Sequence, residues 1–465
     1  MDGLSSSPGQ IAPRRRRRGP VLGGRRALLG AAAGLVLALG AQPAAALQTA
    51  APLQAAGGVG GCVRDVFAPD LGGCARAVPG LDGVAAIALV DGGRHVAVAA
   101  PGSDAVTFLA RTPGTGALAR GFCVAAPGVA ACPLHAAGLH GAAALAPVAG
   151  ALDVGSRDDR AVVALRGAAV TGCISAAPIP GCALRDGALG HVAGLAVSPD
   201  GRTVYAAGYG GDPGTDTVVA LTQRPARRPR RPVSRPVPLL QPVAGGCAQS
   251  LGPSGARCPR TTGLQGAVAV AVSPDGRSVY TAASVSSAVV HFVRNPATGA
   301  ISAAGCVGDA NRVGAGDTPC PVRVPGLRGA AAVAVSPDGR VVYAASSDPG
   351  AVVALARDPA SGALRPLGGP TGCLAAYELS GCTTVPALRG ATGLAFAPGG
   401  HELDVAAPGA DAVVPLQRDA GGGLTAPAAV AAVPTVLNGV DALAPFGRQL
   451  YGASAVDDGV IVLRR

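Results

Sequence analysis

Short apolar runs separated by tight turns recur along the chain. The run at 268–272 leads into Ser-Pro-Asp-Gly-Arg at 273–277, and a second apolar run follows at 278–283. Proline presets φ at the first turn position and Asp-Gly tolerates a tight reversal, so the two runs are predicted to pair as a hairpin. Further runs at 288–293 and 300–304 complete a four-stranded antiparallel sheet.

The same four-strand unit repeats through the chain. Near copies of its first hairpin occupy 197–205 and 335–343, and weaker copies occupy 89–94 and 396–401. One sheet of this size cannot bury both of its faces, so each unit needs neighbouring copies. Self-similar sheets of this kind are typical of a β-propeller.

A Leu-x-Gly sequence precedes each predicted innermost strand and gives the number of blades. Seven such entries begin at Leu81, Leu139, Leu189 (a looser version), Leu264, Leu327, Leu388 and Leu437. The last unit stops after its third strand, 459–463, whereas 53–62 looks like an isolated fourth strand. The fold class predicted is therefore all-β: a seven-bladed β-propeller with four-stranded antiparallel blades, in which an N-terminal strand closes the last blade.

Twelve cysteines form six close pairs, each between the outer strand of one blade and the inner strand of the next. The pairs are Cys62/Cys74, Cys123/Cys132, Cys173/Cys182, Cys247/Cys258, Cys306/Cys320 and Cys373/Cys382. An even count and regular placement predict local disulfides that staple the connecting loops. The alternative, metal binding, would need further ligands that no Cys-x-x-Cys or neighbouring His set provides, and no metal site is predicted.

Residues 1–46 have the composition of an export signal. A basic run at 14–18 and the pair Arg25-Arg26 precede the apolar stretch 31–40, and small residues at 44–46 would permit cleavage. The arginine pair resembles a twin-arginine signal, with an ordinary Sec signal as the alternative. The propeller is then expected to span 47–465, without a transmembrane segment after signal removal, in a secreted, periplasmic or cell-surface protein.

The positive charge of the chain is concentrated in two places. Removing 1–46 takes away seven Arg and one Asp, leaving 31 basic and 26 acidic residues, a net charge of +5 instead of +11. The Arg/Pro-rich insert 224–235 in the third blade holds six of those arginines: Arg224, Arg227, Arg228, Arg230, Arg231 and Arg235. No aromatic residues interleave with these arginines, so we do not expect nucleic acid as a partner. The insert is expected to be either a tolerated insertion or a weak contact with an anionic surface.

Aspartates recur near the start of the third strand in most blades and are the candidate ligand-binding residues. They are Asp104, Asp159, Asp216, Asp348, Asp411 and Asp458, with Ser287 in place of Asp in one blade. A ring of carboxylates around the channel mouth would favour a cation or a polyol. The alternative is structural, because Asp at such a position commonly bonds the backbone of its own turn.

The repeated turns and hairpins resemble those of the seven-bladed lactonase-type propellers and the related YVTN surface-layer repeats. The resemblance rests on Val-Ser-Pro-Asp-Gly-Arg followed by Val-Tyr-x-Ala, and on the outer hairpins Arg-Asn-Pro-Ala-Thr-Gly at 294–299 and Arg-Asp-Pro-Ala-Ser-Gly at 357–362. It covers essentially all of 47–465 and implies the propeller fold. It carries over no catalytic residue, because the matching positions are turn and strand residues.

Two classes of function are consistent with the sequence. The first is an exported binding or scaffold module that recognises a sugar, a peptide or a cell-envelope component through its disulfide-stapled loop face. The alternative is a lactone hydrolase in which Asp and His at the channel mouth polarise water and carbonyl. We predict no cofactor and no catalytic constellation, a small molecule, glycan or envelope protein as partner, and a monomeric state.

Overall fold

The computed structural model describes residues 54–55, 61–68, 74, 77–148, 150–210, 216–223, 240–250, 258–311, 319–427 and 438–465. Within them, seven sheets follow one another along the chain. The predicted signal at 1–46 and the insert at 224–235 lie outside the described residues, and both remain predictions. No helix in the described part is long and apolar enough to cross a membrane.

The first four blades each contain four main strands, given from the innermost outward. Blade 1 comprises Ala86–Val90, His95–Ala100, Ala105–Arg111 and Leu118–Ala125. Blade 2 comprises Ala142–Val148, Ala151–Ser156, Ala161–Arg166 and Ala169–Ser175. Blade 3 comprises His191–Val197, Thr203–Tyr209, Thr217–Gln223 and Leu240–Gln249. Blade 4 comprises Ala267–Val272, Ser278–Ala283, Ala288–Arg294 and Ile301–Asp309.

The remaining three blades follow the same order with small variations in the outer strand. Blade 5 comprises Ala330–Val335, Val341–Ser346, Ala351–Arg357 and an outer strand in two pieces, Leu364–Pro366 and Cys373–Ala375. Blade 6 comprises Gly393–Phe396, Glu402–Ala407, Ala412–Arg418 and Leu424–Thr425. Blade 7 begins with Val440–Phe446, Gln449–Ser454 and Gly459–Arg464. Short 3₁₀ helices occupy Asp91–Gly93, Pro370–Gly372, Pro386–Leu388 and Pro408–Ala410.

The N-terminal part of the described chain closes the ring, as predicted. Strand Cys62–Asp65 pairs antiparallel with Gly459–Arg464, with Val63 opposite Val460, and Gln54–Ala55 pairs with the end of the same strand. The innermost strands of successive blades contact one another, and that of blade 7 contacts that of blade 1. The seven-bladed, closed propeller is therefore confirmed.

Five blades carry a short additional strand that the sequence pattern did not reveal. It pairs in parallel with the end of the outer strand, at Ala77–Val78, Leu134–His135, Leu184–Arg185, Val322–Val324 and Thr383–Thr384. In blade 3 the bridge between Gln249 and Arg260 takes the same place. Segments of two or three residues carry no detectable period of their own, which is why alternation along the sequence cannot predict them.

The hydrophobic core lies between the blades rather than in a single centre. Each large apolar cluster draws its members from two adjacent sheets, as in the cluster shared by blades 1 and 2. The leucine of every described Leu-x-Gly entry, from Leu81 to Leu388, is almost fully buried. Small Ala and Val side chains dominate these layers, so neighbouring sheets pack closely.

Because the strands alternate in direction, all connections of one type emerge at the same end of the ring. The Ser-Pro-Asp-Gly turns and the outer hairpins lie at one end, which we call the turn face. The Cys loops, the Leu-x-Gly entries and the loops between second and third strands lie at the other end, which we call the loop face.

A Tyr–Arg lock joins neighbouring blades near the turn face. At the interface of blades 4 and 5, Nε of Arg357 donates to the hydroxyl of Tyr280 (2.8 Å), which donates to the carbonyl of Gly362 (2.7 Å). The same guanidinium donates to the carbonyl of Gly339 and pairs with Asp275 at 2.7 Å. Equivalent locks are Tyr205–Arg294, Tyr343–Arg418 and Tyr451–Arg111.

Candidate functional site

Six disulfides staple the loop face. The bonded pairs are Cys62–Cys74, Cys123–Cys132, Cys173–Cys182, Cys247–Cys258, Cys306–Cys320 and Cys373–Cys382. In each described case the first cysteine lies in an outer strand and the second precedes the start of the next blade, so the prediction of local bridges is confirmed. The described cysteines include no free thiol.

Removing one staple is expected to lower stability without changing the fold. The Cys306–Cys320 bridge joins residues separated by 14 positions. Loop entropy then predicts that Cys306→Ala with Cys320→Ala lowers the free energy of unfolding by about 3 kcal/mol. Denaturant titration measures the loss, and peptide mapping without reduction checks the pairing. A bridge between different blades, or an unchanged stability, would contradict the staple interpretation.

Four of the six candidate aspartates bind the backbone of the next blade. The amide of a Leu-x-Gly glycine donates to the Asp of the preceding blade: Gly141 to Asp104 (2.7 Å), Gly266 to Asp216 (3.0 Å), Gly439 to Asp411 (3.0 Å) and Gly83 to Asp458 (2.7 Å). Ser287 accepts from Gly329 in the same way (3.2 Å). These residues therefore latch adjacent blades at the loop face. Asp216 also accepts from the amide of Gly210 in its own turn (3.4 Å) and from the hydroxyl of Ser250 (2.9 Å).

Asp159 and Asp348 do not occupy the latch position. The residues immediately before the third strand in their blades are Arg160 and Gly350. A Cβ atom on Gly350 would lie 2.6 Å from the carbonyl oxygen of Leu388, so only glycine fits there. Asp159 accepts from the amide of His140 (3.0 Å), and exposed Asp348 pairs with Arg328 (2.7 Å).

The aspartates do not converge on one cation site. Among the described residues, no group of three or more His, Cys, Asp or Glu side chains is arranged to hold a metal ion. Most of the carboxylates already accept backbone amides, which leaves each with reduced capacity for a ligand. A role for the six aspartates in ligand binding remains a prediction.

A His–Asp pair lies at the loop face between blades 1 and 2. Nδ1 of His140 lies 3.1 Å from Oδ2 of Asp104, and the side chains are 44% and 29% exposed. The carboxylate thus orients the imidazole and leaves Nε2 available to a ligand or a water molecule. The second contact of the loop, from the His140 amide to Asp159, fixes the backbone beneath the ring.

Arg157, in the neighbouring loop of blade 2, is a cation without a hydrogen-bond partner for two of its nitrogens. Its amide donates to the carbonyl of Gly141 (2.9 Å), directly beside His140. Nε and Nη2 are buried and unpaired in the described structure. Burial lowers the pKa of Arg157, and nearby Tyr209 and Asp158 partly offset that effect. Buried polar groups in native proteins usually have a hydrogen-bond partner, so these two nitrogens call for a specific explanation.

An aromatic pair from blade 3 adjoins this loop. The rings of His191 and Tyr209 stack with centroids 5.9 Å apart, and Tyr209 packs against Ala193 and Val268. Together these side chains form the mouth sector, which comprises Asp104, His140, Arg157, Asp159, His191 and Tyr209. It combines a cation, an oriented imidazole, a carboxylate and an aromatic face at one side of the channel mouth.

Sequence reasoning missed Arg157 although a signal was present. The loop before the third strand contains small or acidic residues in most blades, as in Pro-Gly-Ser-Asp at 101–104 and Pro-Gly-Ala-Asp at 408–411. Blade 2 has Arg-Asp-Asp-Arg at 157–160 instead. A departure from a structural repeat is a better pointer to chemistry than the repeated residue, because repetition follows from the fold alone.

Comparison with known proteins gives structural neighbours only. No protein-family profile and no curated protein matches the chain. Solved structures that resemble it include a putative 6-phosphogluconolactonase from Bacteroides uniformis (16% identity, 77% of this chain, 87% of the other, TM-score 0.49). Others are the periplasmic gluconolactonase of Pseudomonas aeruginosa (21%, 75%, 85%, 0.47) and Kuenenia stuttgartiensis hydrazine synthase (16%, 84%, 97%, 0.49). At such identities these likenesses concern the fold alone.

Proposed function

We propose that this protein is an extracytoplasmic binding propeller that takes a small sugar-like or peptide-like component of the cell envelope at the mouth sector. The ligand presents a carboxylate or a phosphate to Arg157. The observation that carries this proposal is the guanidinium of Arg157, which has two buried nitrogens without a partner. Buried guanidinium nitrogens without a hydrogen-bond partner are costly, and a bound anion would lower that cost.

The chemistry of the mouth sector fits a small polar anion. A guanidinium presents a planar set of donors that matches both oxygens of a carboxylate or phosphate. The His191–Tyr209 stack offers an aromatic surface to the apolar face of a sugar ring or to a peptide side chain. Asp159 and His140 supply acceptors and donors for hydroxyl or amide groups. The disulfides keep the surrounding loops in fixed positions, which reduces the entropy lost on binding.

The six disulfides are typical of proteins outside the cytoplasm. We propose in addition that residues 1–46 direct export, and their pattern fits a twin-arginine signal. The exported propeller then acts as a monomer. In the same proposal the arginines of 224–235 give a weak contact with anionic surfaces. Deleting 224–235 should then abolish salt-dependent retention on an anionic column, and unchanged retention would refute that contact.

Replacing Arg157 with Gln should weaken the binding of acidic sugars. Glucuronate and glucose 6-phosphate test the carboxylate and the phosphate, and glucose is the neutral control. Loss of a charge-assisted contact worth about 1.5–3 kcal/mol predicts roughly 10- to 100-fold weaker binding by isothermal titration calorimetry. Arg166→Gln, at an exposed position in the same blade, is the matched control and should bind as the parent does. Equal affinities in the two variants would refute the role of Arg157.

A second candidate function, hydrolysis of an ester or lactone, is favoured by the geometry of the His–Asp pair. Asp104 stabilises the tautomer of His140 that carries its proton on Nδ1, so Nε2 can accept a proton from water. The resulting hydroxide would attack a carbonyl of a substrate held by Arg157, and the imidazolium would return the proton to the leaving oxygen.

If the protein is a hydrolase, its activity should depend on the imidazole ring of His140. If the parent protein turns over members of a lactone panel, His140→Ala should lower kcat/KM by about 100-fold or more. His135→Ala is the matched control, because His135 is exposed and its Nε2 contacts only the carbonyl of Val129. Equal loss in both variants would contradict a catalytic His140, and no turnover in the parent would leave the binding function alone.

A further inference from the structure

Structurally equivalent positions near the turn face form a series around the ring. In each blade, the third residue of the second strand lies at the interface with the next blade. Its counterpart in that next blade is the seventh position counted from the start of the third strand. Four interfaces have a Tyr–Arg lock there, and the interface of blades 6 and 7 has Asp404 with Arg465. At the interface of blades 2 and 3, the equivalent pair is Asp153 with Gln223. At the interface of blades 1 and 2, the equivalent residues are Ala97 in blade 1 and Gly167 in blade 2.

Within the described residues, Asp153 is a buried carboxyl group that no cation pairs with. Its side chain is fully buried, Oδ2 accepts from the amide of Gln223, and Oδ1 has no partner. Its cross-strand neighbours, Ala146 and Ala164, belong to the apolar cluster between blades 2 and 3. Gln223 is the polar group that faces it from blade 3, and no charged group of the described residues adds to or opposes its ionisation.

The protonation of Asp153 follows from this environment. Burial raises its pKa to about 8, and the hydrogen bond from Gln223 opposes only part of the shift. Burial also raises the pKa of Asp404 at the interface of blades 6 and 7, and its pairing with Arg465 limits that rise. The Asp153 carboxyl is therefore mainly neutral below about pH 8, whereas an exposed Asp in an opened interface would ionise near pH 4.

We propose that the interface of blades 2 and 3 is a proton-dependent seam, closed while Asp153 carries its proton and progressively easier to open as the pH rises. Between about pH 4 and about pH 8, Asp153 is ionised in the opened state and protonated in the closed state, so the opened state binds one proton fewer. Its population relative to the closed state thus rises as the pH increases from about 4 to about 8, and levels off above that range.

The seam would act on the loop face through the strand that bears Asp153. Ala151–Ser156 continues directly into 157–160, so Arg157 follows Asp153 by four residues. The interfaces on both sides of blade 2 lack a lock arginine at the equivalent position. At these equivalent positions, blade 2 consequently has the fewest polar contacts with its neighbours at the turn face. Opening of its interface would displace the mouth sector.

Amide hydrogen exchange at several pH values tests the seam on the folded protein. After correction for intrinsic exchange, protection of Ala151–Ser156 and Thr217–Gln223 should fall by up to about tenfold per pH unit from pH 5 to 8. Strands Ser278–Ala283 and Ala351–Arg357, which contain a Tyr–Arg lock, are the internal control and should show no such slope.

Two variants separate the seam from a general effect of pH. Asp153→Asn keeps the size of the side chain but cannot ionise, so it should abolish the slope. Gln223→Arg supplies a cation beside the carboxyl group and should reduce the slope, because an adjacent guanidinium lowers the pKa of a buried carboxyl group. A slope that persists in Asp153→Asn, an equal slope at the interface of blades 4 and 5, or no slope in the parent would each overturn the proposal.

Discussion

Replacing Val63 with Asp is expected to unfold the ring. Val63 is fully buried in the strand that closes blade 7, pairs with Val460 and packs with Leu81 and Leu109 of blade 1. A carboxylate there would be buried without a partner and would also break the contact between the last and first blades. We expect a loss of about 4 kcal/mol or more in the free energy of unfolding, measured by denaturant titration.

Val66→Asp is the matched control for this experiment. Val66 lies just beyond the same strand and is 43% exposed, so the same new charge remains solvated. Its effect should stay within about 0.5 kcal/mol. Comparable losses in the two variants would show that closure by the N-terminal strand does not hold the ring together.

Replacing Arg357 with Met is expected to destabilise the buried interface of blades 4 and 5. Methionine keeps much of the apolar stem, but Asp275, the Tyr280 hydroxyl and the carbonyl of Gly339 lose the hydrogen bonds that the guanidinium donates. Removing one partner from a largely buried charged network predicts a loss of about 3 kcal/mol. Calorimetry or denaturant titration measures it, with Arg340→Met at an exposed site of the same blade as the control.

The same lock predicts an acid dependence. Burial alone would raise the pKa of Asp275, but hydrogen bonds from Ser273, the amide of Arg277 and the guanidinium of Arg357 outweigh it and lower the pKa. The lock therefore stabilises the fold above about pH 4, the ordinary pKa of Asp, and that contribution disappears as the pH falls through the lowered value. The difference in stability between the parent and Arg357→Met should shrink in acid, and a constant difference would exclude the ion pair as its source.

The number of blades and the closure were predictable because their signals are local. Each Ser-Pro-Asp-Gly turn and each Leu-x-Gly entry fixes the chain within a few residues, and repetition supplies the count. The pairing of each Cys with its nearest neighbour was predictable for the same reason. A fourth strand missing from the last unit was visible as a surplus strand at the other end of the sequence.

The contacts between blades could not be read from local pattern. Asp104 meets Gly141, 37 residues later, and Arg294 meets Tyr205, 89 residues earlier, so neither partner follows from spacing within a turn. The register of Asp159 was one residue off the latch position, which Arg160 occupies. The candidate site is predictable only in outline: the sequence pattern places Asp and His at the channel mouth, but the unpaired nitrogens of Arg157 are a property of the folded loop.

These observations divide the polar residues of the ring into two groups. The latch aspartates and the Tyr–Arg locks bind other parts of the scaffold. The mouth sector, at the loop face of blades 1 to 3, retains two unpaired guanidinium nitrogens of Arg157 and an imidazole nitrogen of His140 that the described scaffold does not use. In the function that we propose, the ligand binds in this one sector of an otherwise structural repeat.

The most direct test is hydrogen exchange of the parent protein at constant pH, with and without a saturating amount of the acidic sugar that binds more tightly. We expect added protection in the peptides that cover 138–160 and 189–209, and none in blades 5 and 6. Protection confined to the turn face or to other blades, or an identical protection pattern in Arg157→Gln, would contradict it.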